Sequence, residues 1–168
     1  MTRKNPQPLF PSLSEVKRTL YGLLVRRGVR IETNETVEYA NFCCLKIRRY
    51  PQGEAILVTG RFTDELSEVL FVAHEYGHLL HYEALSPDDK EMAYCAVFAS
   101  NHIGLENVSR EGRELITSLE KKASEYALDL LKGMLDTETV AVVSDTYNKW
   151  IRGYYRTAGL AEGGDIQS

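Results

Sequence analysis

Residues His74-Glu75-Tyr76-Gly77-His78 follow the pattern H-E-x-x-H. On a helix, residues four apart project from one face about 6 Å apart, so two imidazoles at this spacing can reach a single cation. Zinc suits such a pair, because it takes neutral imidazole nitrogens and in catalytic sites keeps one position open beside three protein ligands. Glu75 follows His74 by about 100° of helical rotation. It can therefore lean toward the open position without filling it and take a proton from a water there. The chemistry predicted is hydrolysis by an activated water, with Glu75 as general base. The competing reading is a helix whose histidines serve packing or solubility. Apolar residues on both sides of the motif and a strand-bearing stretch before it favour the metal. Gly77 costs about 1 kcal/mol of helix propensity relative to Ala, which a closely packed neighbour, such as a strand backbone, would explain.

The third ligand must come from elsewhere. His81 lies nearly on the face of His74, but seven residues of helix span about 10.5 Å, too far for three side chains of one straight helix to surround one ion. Nor does the sequence continue as H-E-x-x-H-x-x-G-x-x-H. His81 is expected at the rim or behind the ligands. The downstream carboxylates are Glu91, Glu106, Glu111, Glu114, Glu120 and Glu125. In the helix around residue 123 the apolar positions are Leu115, Ile116, Leu119, Ala123, Tyr126, Ala127, Leu130 and Met134. Their mean direction lies about 25° from Leu119, which sets Glu120 at about 100°, on the flank of the buried face, and Glu125 at about 240°, toward water. A carboxylate on a buried flank needs a charge partner, and zinc between two helices would be one. Phase thus favours Glu120, although Glu125-Tyr126-Ala127-Leu128-Asp129 matches the E-x-x-x-D of thermolysin-like enzymes. Glu91 ranks third. The alternative for Glu120 is a boundary glutamate that reaches out to solvent.

Several elements must position these residues. Residues 1–11 hold three of the five prolines and read as an extended leader. Ser12-Leu13-Ser14-Glu15 is a capping box. The helix it starts runs to Arg27 with Val16, Leu20, Leu23 and Leu24 inward, and Gly28 ends it. Residues 39–47 and 54–59 then read as strands joined across Pro51-Gln52-Gly53, with a further short strand around Val29–Ile31 and Thr36–Val37. If Glu54–Thr59 lay at an edge, it could hold an extended peptide by main-chain hydrogen bonds; an ordinary interior strand fits equally. Thr63 or Asp64 can cap the metal helix, which runs from Glu65 to about Tyr82. Ser86-Pro87-Asp88-Asp89 begins another, Lys90 to about His102, with Met92, Cys95, Ala96, Ala99 and Ile103 as its inward stripe. Helices follow over 109–131 and 140–156, and the end from Gly159 reads as a frayed tail. These elements predict an α+β single domain over residues 12–158, zincin-like if the short twisted sheet packs against the H-E-x-x-H helix, with further helices toward the C-terminus.

Composition bounds the partners. Of 20 Lys and Arg, seven fall in residues 1–30 against Glu15 alone, while the remainder is acidic. Most of the chain would repel phosphate, so nucleic acid is not an expected partner. Cys43, Cys44 and Cys95 have neither a disulfide-framework spacing nor C-x-x-C, and free thiols point to a reducing compartment, with cytoplasm the default. No stretch reaches the roughly 18 apolar residues of a membrane span. Tyr76, Tyr126, Tyr154, Tyr155, His81 and His102 are the residues able to donate to a developing oxyanion. Tyr147, Trp150, Tyr154 and Tyr155 could wall a cleft, with plain core packing the alternative.

Two blocks resemble the ImmA/IrrE family of gluzincin metallopeptidases. Ala73-His74-Glu75-Tyr76-Gly77-His78-Leu79-Leu80-His81 is similar to A-H-E-L-G-H-L-L-x-H, with Arg61-Phe62-Thr63 upstream. Residues 120–133, beginning Glu120-Lys121-Lys122-Ala123-Ser124-Glu125-Tyr126-Ala127, are similar to E-x-x-A-N-x-F-A-x-x-L-L-M-P. Ser124 stands where the family has Asn, and the stretch between the blocks holds an extra helix. The resemblance implies His74, His78 and Glu120 as zinc ligands, Glu75 as the catalytic residue, and a protein substrate, with regulated cleavage of a repressor as the family-derived expectation. A regulatory partner protein is a further expectation. Two other functions fit the motif: zinc hydrolysis of a non-peptide amide or ester, and a binding or effector-sensing module with slight turnover.

Overall fold

The computed structural model describes residues 9–34, 41–47, 54–161 and 166. Helix α1 (Leu13–Arg26) starts as the capping box requires: the Ser12 side chain accepts from the Glu15 amide while Glu15 Oε2 accepts from the Ser12 amide at 2.8 Å. Val16, Leu20 and Leu24 are its buried stripe. Gly28, at φ +77°, turns the chain out of the helix, a conformation that a side chain would strain.

Three strands follow, β1 (Arg30–Thr33), β2 (Cys43–Ile47) and β3 (Ala55–Thr59), in the order β1-β3-β2. β1 runs parallel to β3, and β2 antiparallel with Leu45 opposite Leu57. β3 is buried at four of its five positions, as a strand covered on both faces should be. It is the central strand, and β1 and β2 are the edges among the described residues. The turn at 51–53, residues 39–40 and the Thr36–Val37 segment lie outside the described residues.

Helix α2 (Glu65–Ala84) carries the H-E-x-x-H motif and begins at Asp64, whose side chain accepts from the Ser67 amide at 2.8 Å. Nine of its residues are buried on several faces, because α2 is the central helix, packed by α1, β2 and α4 (Arg110–Lys132). Helix α3 (Pro87–Ile103) begins at Ser86-Pro87, with Pro87 in its first turn after the Ser86 cap. Its orientation differs from expectation: Ala93 and Ala96 are buried, while Met92, Cys95 and Ile103 of the expected inward stripe are exposed. A short 3-10 turn, Leu105–Asn107, precedes α4, and α5 (Thr137–Thr157) closes the core with the fully buried Tyr147, whose hydroxyl donates to the Leu70 carbonyl at 2.7 Å. The expectation of a frayed end does not extend to Ile166, which is buried and bonded through its amide to Asn148 Oδ1 at 2.8 Å. Among the described residues the fold is α+β, five α-helices and a small mixed sheet. No helix among the described residues is long and apolar enough to cross a membrane.

Candidate metal centre

Small residues let α2 and α4 approach closely. A Cβ on Gly77 would fall 2.1 Å from the Ala123 carbonyl oxygen, so no side chain can stand there unless the helices part. The close neighbour behind Gly77 is thus a helix backbone rather than a strand. Ala73, Ala123 and Ala127 are completely buried. One turn before Ala123, the same approach carries Glu120 to the motif histidines.

His74 Nε2 and His78 Nε2 lie 3.1 Å apart, and Glu120 Oε2 is 3.1 Å from the first and 3.4 Å from the second. These three ligand atoms, all within 4.8 Å of one another, could hold a metal ion. Burial pushes the Glu120 carboxyl up, but hydrogen bonds and charge from His74 and His78 outweigh it and hold the group well below the carboxylate range. Burial likewise pushes the His78 imidazole down, and the Glu120 carboxylate more than offsets this. The cluster favours positive charge at its centre, which is the electrostatic requirement of a cation site. Glu125 is elsewhere, paired with Lys122 at 2.6 Å; Glu91 sits on α3 beside the Cys95 thiol. His81 is outside the ligand group, its ring 6.1 Å from that of Tyr126.

The helical phase of α4 differs from the apolar count in an instructive way. Its buried residues are Ile116, Thr117, Ala123, Ser124, Ala127, Leu128 and Leu131. Their mean direction is about 110° from Leu119, so Glu120 lies at the centre of the buried face and not on its flank. Thr117 and Ser124 are polar residues turned inward, which an apolar average omits. Ser124 has a function there, with its Oγ 3.1 Å from His74 Nδ1. When a cation takes the place of the proton shared between Nε2 and Glu120, a proton on Nδ1 lets His74 donate to Ser124 and turn its Nε2 lone pair to that cation. The i, i+4 spacing from Glu120 to Ser124 was the signal in the sequence that could have found it.

Glu75 stands beside this cluster, only 9% exposed, and its Oε2 accepts from the Leu45 amide of β2 at 2.8 Å. Burial pushes its carboxyl above the ordinary range, against the lowering effects of His78, His74 and the Leu45 N–H. Leu45 uses a main-chain group that points away from β3, and by antiparallel alternation Cys43 and Ile47 direct theirs the same way. Among the described residues no strand pairs with this edge of β2, and it meets the site at Glu75.

His74, Glu75, His78 and Glu120 line a cleft of about 1230 Å³. β2 borders it on the α2 side, α3 on the α4 side, and Trp150 and Tyr154 of α5 complete it. The Trp150 ring lies 5.8 Å from that of His74 and 4.6 Å from that of Phe71. The aromatic group of α5 therefore divides, with Tyr147 in the core and Trp150 and Tyr154 in the cleft wall. Among the donors considered from sequence, Tyr76 is buried and accepts from Arg27 Nε at 2.9 Å, while Tyr154 and His81 line the cleft. The Tyr154 phenol faces Glu120: burial, then that carboxylate's charge, holds it protonated well above its ordinary range. Comparison with known proteins finds no matching family model, no matching curated protein and no matching solved structure.

Proposed function

We propose that this chain is a zinc-dependent endopeptidase with a zincin-like arrangement, acting on one or a few intracellular proteins, regulatory proteins among them. The observation that carries the reading is the convergence of His74 Nε2, His78 Nε2 and Glu120 Oε2 beside the buried Glu75 carboxylate. Two imidazoles and a carboxylate are a usual catalytic zinc set that leaves a position open. Zinc bound there would supply Lewis acidity, lowering the pKa of a water toward neutrality and polarising a carbonyl.

The chain's own residues account for the remaining work. Ser124 fixes the His74 ring so that Nε2 faces inward. The Leu45 amide holds Glu75 Oε2, which leaves Oε1 to take the proton from the attacking water and pass it to the departing amine. Tyr154 is suited to donate its phenolic hydrogen to the carbonyl oxygen as charge develops. The open edge of β2 is suited to hold the substrate main chain extended. The two sequence blocks that resemble the ImmA/IrrE family support the same ligand set.

The test is a comparison of cleavage products in cell extract treated with wild-type protein or with Glu75→Gln. Removing the base while keeping the ligands should lower hydrolysis by about 10²-fold or more with zinc content unchanged. Full activity in that variant rules out the assigned role.

A further inference from the structure

Helix α3 touches the rest of the molecule through small residues, with Ala93 and Ala96 its buried positions. Large apolar side chains are consequently left exposed on both flanks. Met92 and Ile103 occupy one. Tyr94, Val97 and Phe98 occupy the other, at 40%, 42% and 51% exposure. The second group follows the i, i+3, i+4 spacing of one helical face and lines the same cleft as His74, Glu75 and Glu120. Phe71 and Trp150 extend the apolar surface around the floor.

We propose that Val97 and Phe98 form the specificity wall of this cleft, and that its substrate is an extended polypeptide segment with a large apolar side chain beside the bond presented to Glu75. The inference rests on the peptidase reading above and adds the substrate's chemical class. Three features select this occupant. The apolar stripe lines the cleft that also holds His74, Glu75 and Glu120, so an occupant reaching those groups passes along it. The cleft is larger than the roughly 300–1,000 Å³ usual for small ligands and has room for a run of residues. Its other border is an open strand edge, whose outward N–H and C=O groups at Cys43 and Ile47 match a main chain and not a lipid or a sugar. A chain held on β2 directs alternate side chains away from the edge strand's plane, and the wall that meets them from the α4 side is apolar.

The experiment uses the full chain carrying Glu75→Gln, in zinc-containing buffer, and reads peptide binding by fluorescence anisotropy. The probes are two labelled Ala/Gly-based octapeptides that differ at one central position, Phe or Ser. The Phe peptide is expected to bind about 10-fold tighter, as burial of one large apolar side chain would give. Phe98→Ser with Val97→Ser should remove most of that preference, whereas Met92→Ser with Ile103→Ser on the opposite flank should leave it. Val97→Trp, which fills the wall instead of emptying it, should weaken the Phe peptide by a similar factor. Circular dichroism reports that each variant keeps its helices. Equal affinity for the two peptides, absence of binding by both, or a preference that survives the wall substitutions overturns the proposal. Wild-type protein that prefers the Phe peptide and never cuts it sinks the peptidase reading and leaves the wall. Cleavage indifferent to the central residue does the reverse.

Discussion

Glu120 and Glu125 differ by five positions on one helix and by everything that matters to a cation. Glu120 is held between two imidazoles, whereas Glu125 is paired with Lys122 near the surface. Glu120→Ala should therefore lose bound zinc by elemental analysis, and Glu125→Ala should retain it. The opposite result would move the third ligand. Tyr154 tests a different property, since its hydroxyl faces the reacting region without belonging to the ligand group. Tyr154→Phe removes one donor and keeps the ring, so kcat should fall by about 10²-fold with KM and zinc content nearly unchanged. A kcat equal to wild type would leave His81 as the cleft-lining donor to examine.

Element packing decides whether those residues meet at all. The crossing of α2 and α4 depends on Gly77, where a methyl group would strike the Ala123 carbonyl. Gly77→Ala should destabilise the fold by about 2 kcal/mol or more in urea titration, despite the gain of about 1 kcal/mol in helix propensity. Gly22→Ala in α1, whose Cβ would meet only the Arg26 side chain at 3.7 Å, should show that propensity gain alone. Equal stabilisation by both would refute the close crossing. This contrast also marks what the sequence could convey. Caps at Ser12, Asp64 and Ser86, the H-E-x-x-H spacing and the carboxylate at Glu120 are local or periodic signals, and all were legible. The face of α3 was not, because its apolar residues surround the helix, and only the position of α4 selects Ala93 and Ala96 for burial. The partner of Gly77 is not legible for the same reason: a glycine signals close approach but not what approaches. Nor could alternation within β3 reveal that it is flanked on both sides, since strand order depends on pairing between distant segments.

At the scale of the molecule, the candidate metal centre joins elements that separate in the unfolded chain. His74 and His78 belong to α2, packed on α1 and β2, while Glu120 belongs to α4, packed on α3 and α5. An ion held by all three side chains binds the folded state and finds no such site in the unfolded one, so binding and folding are linked. Metal-free protein should melt at a lower temperature than protein with zinc, by the equivalent of about 2.7 kcal/mol when free zinc is 100 times its dissociation constant. For a chain of this size each kcal/mol corresponds to about 2–4 °C. The increment should shrink as pH falls through the imidazole range, because protons compete for the same lone pairs. Glu120→Ala should reduce the zinc increment strongly, since it removes the ligand that α4 supplies. Glu75→Gln should preserve it, since that side chain is anchored to Leu45 and is no ligand. A melting temperature indifferent to zinc in wild-type protein would mean that His74, His78 and Glu120 do not share an ion. A zinc increment that survives Glu120→Ala would mean that the ion is held from α2 alone.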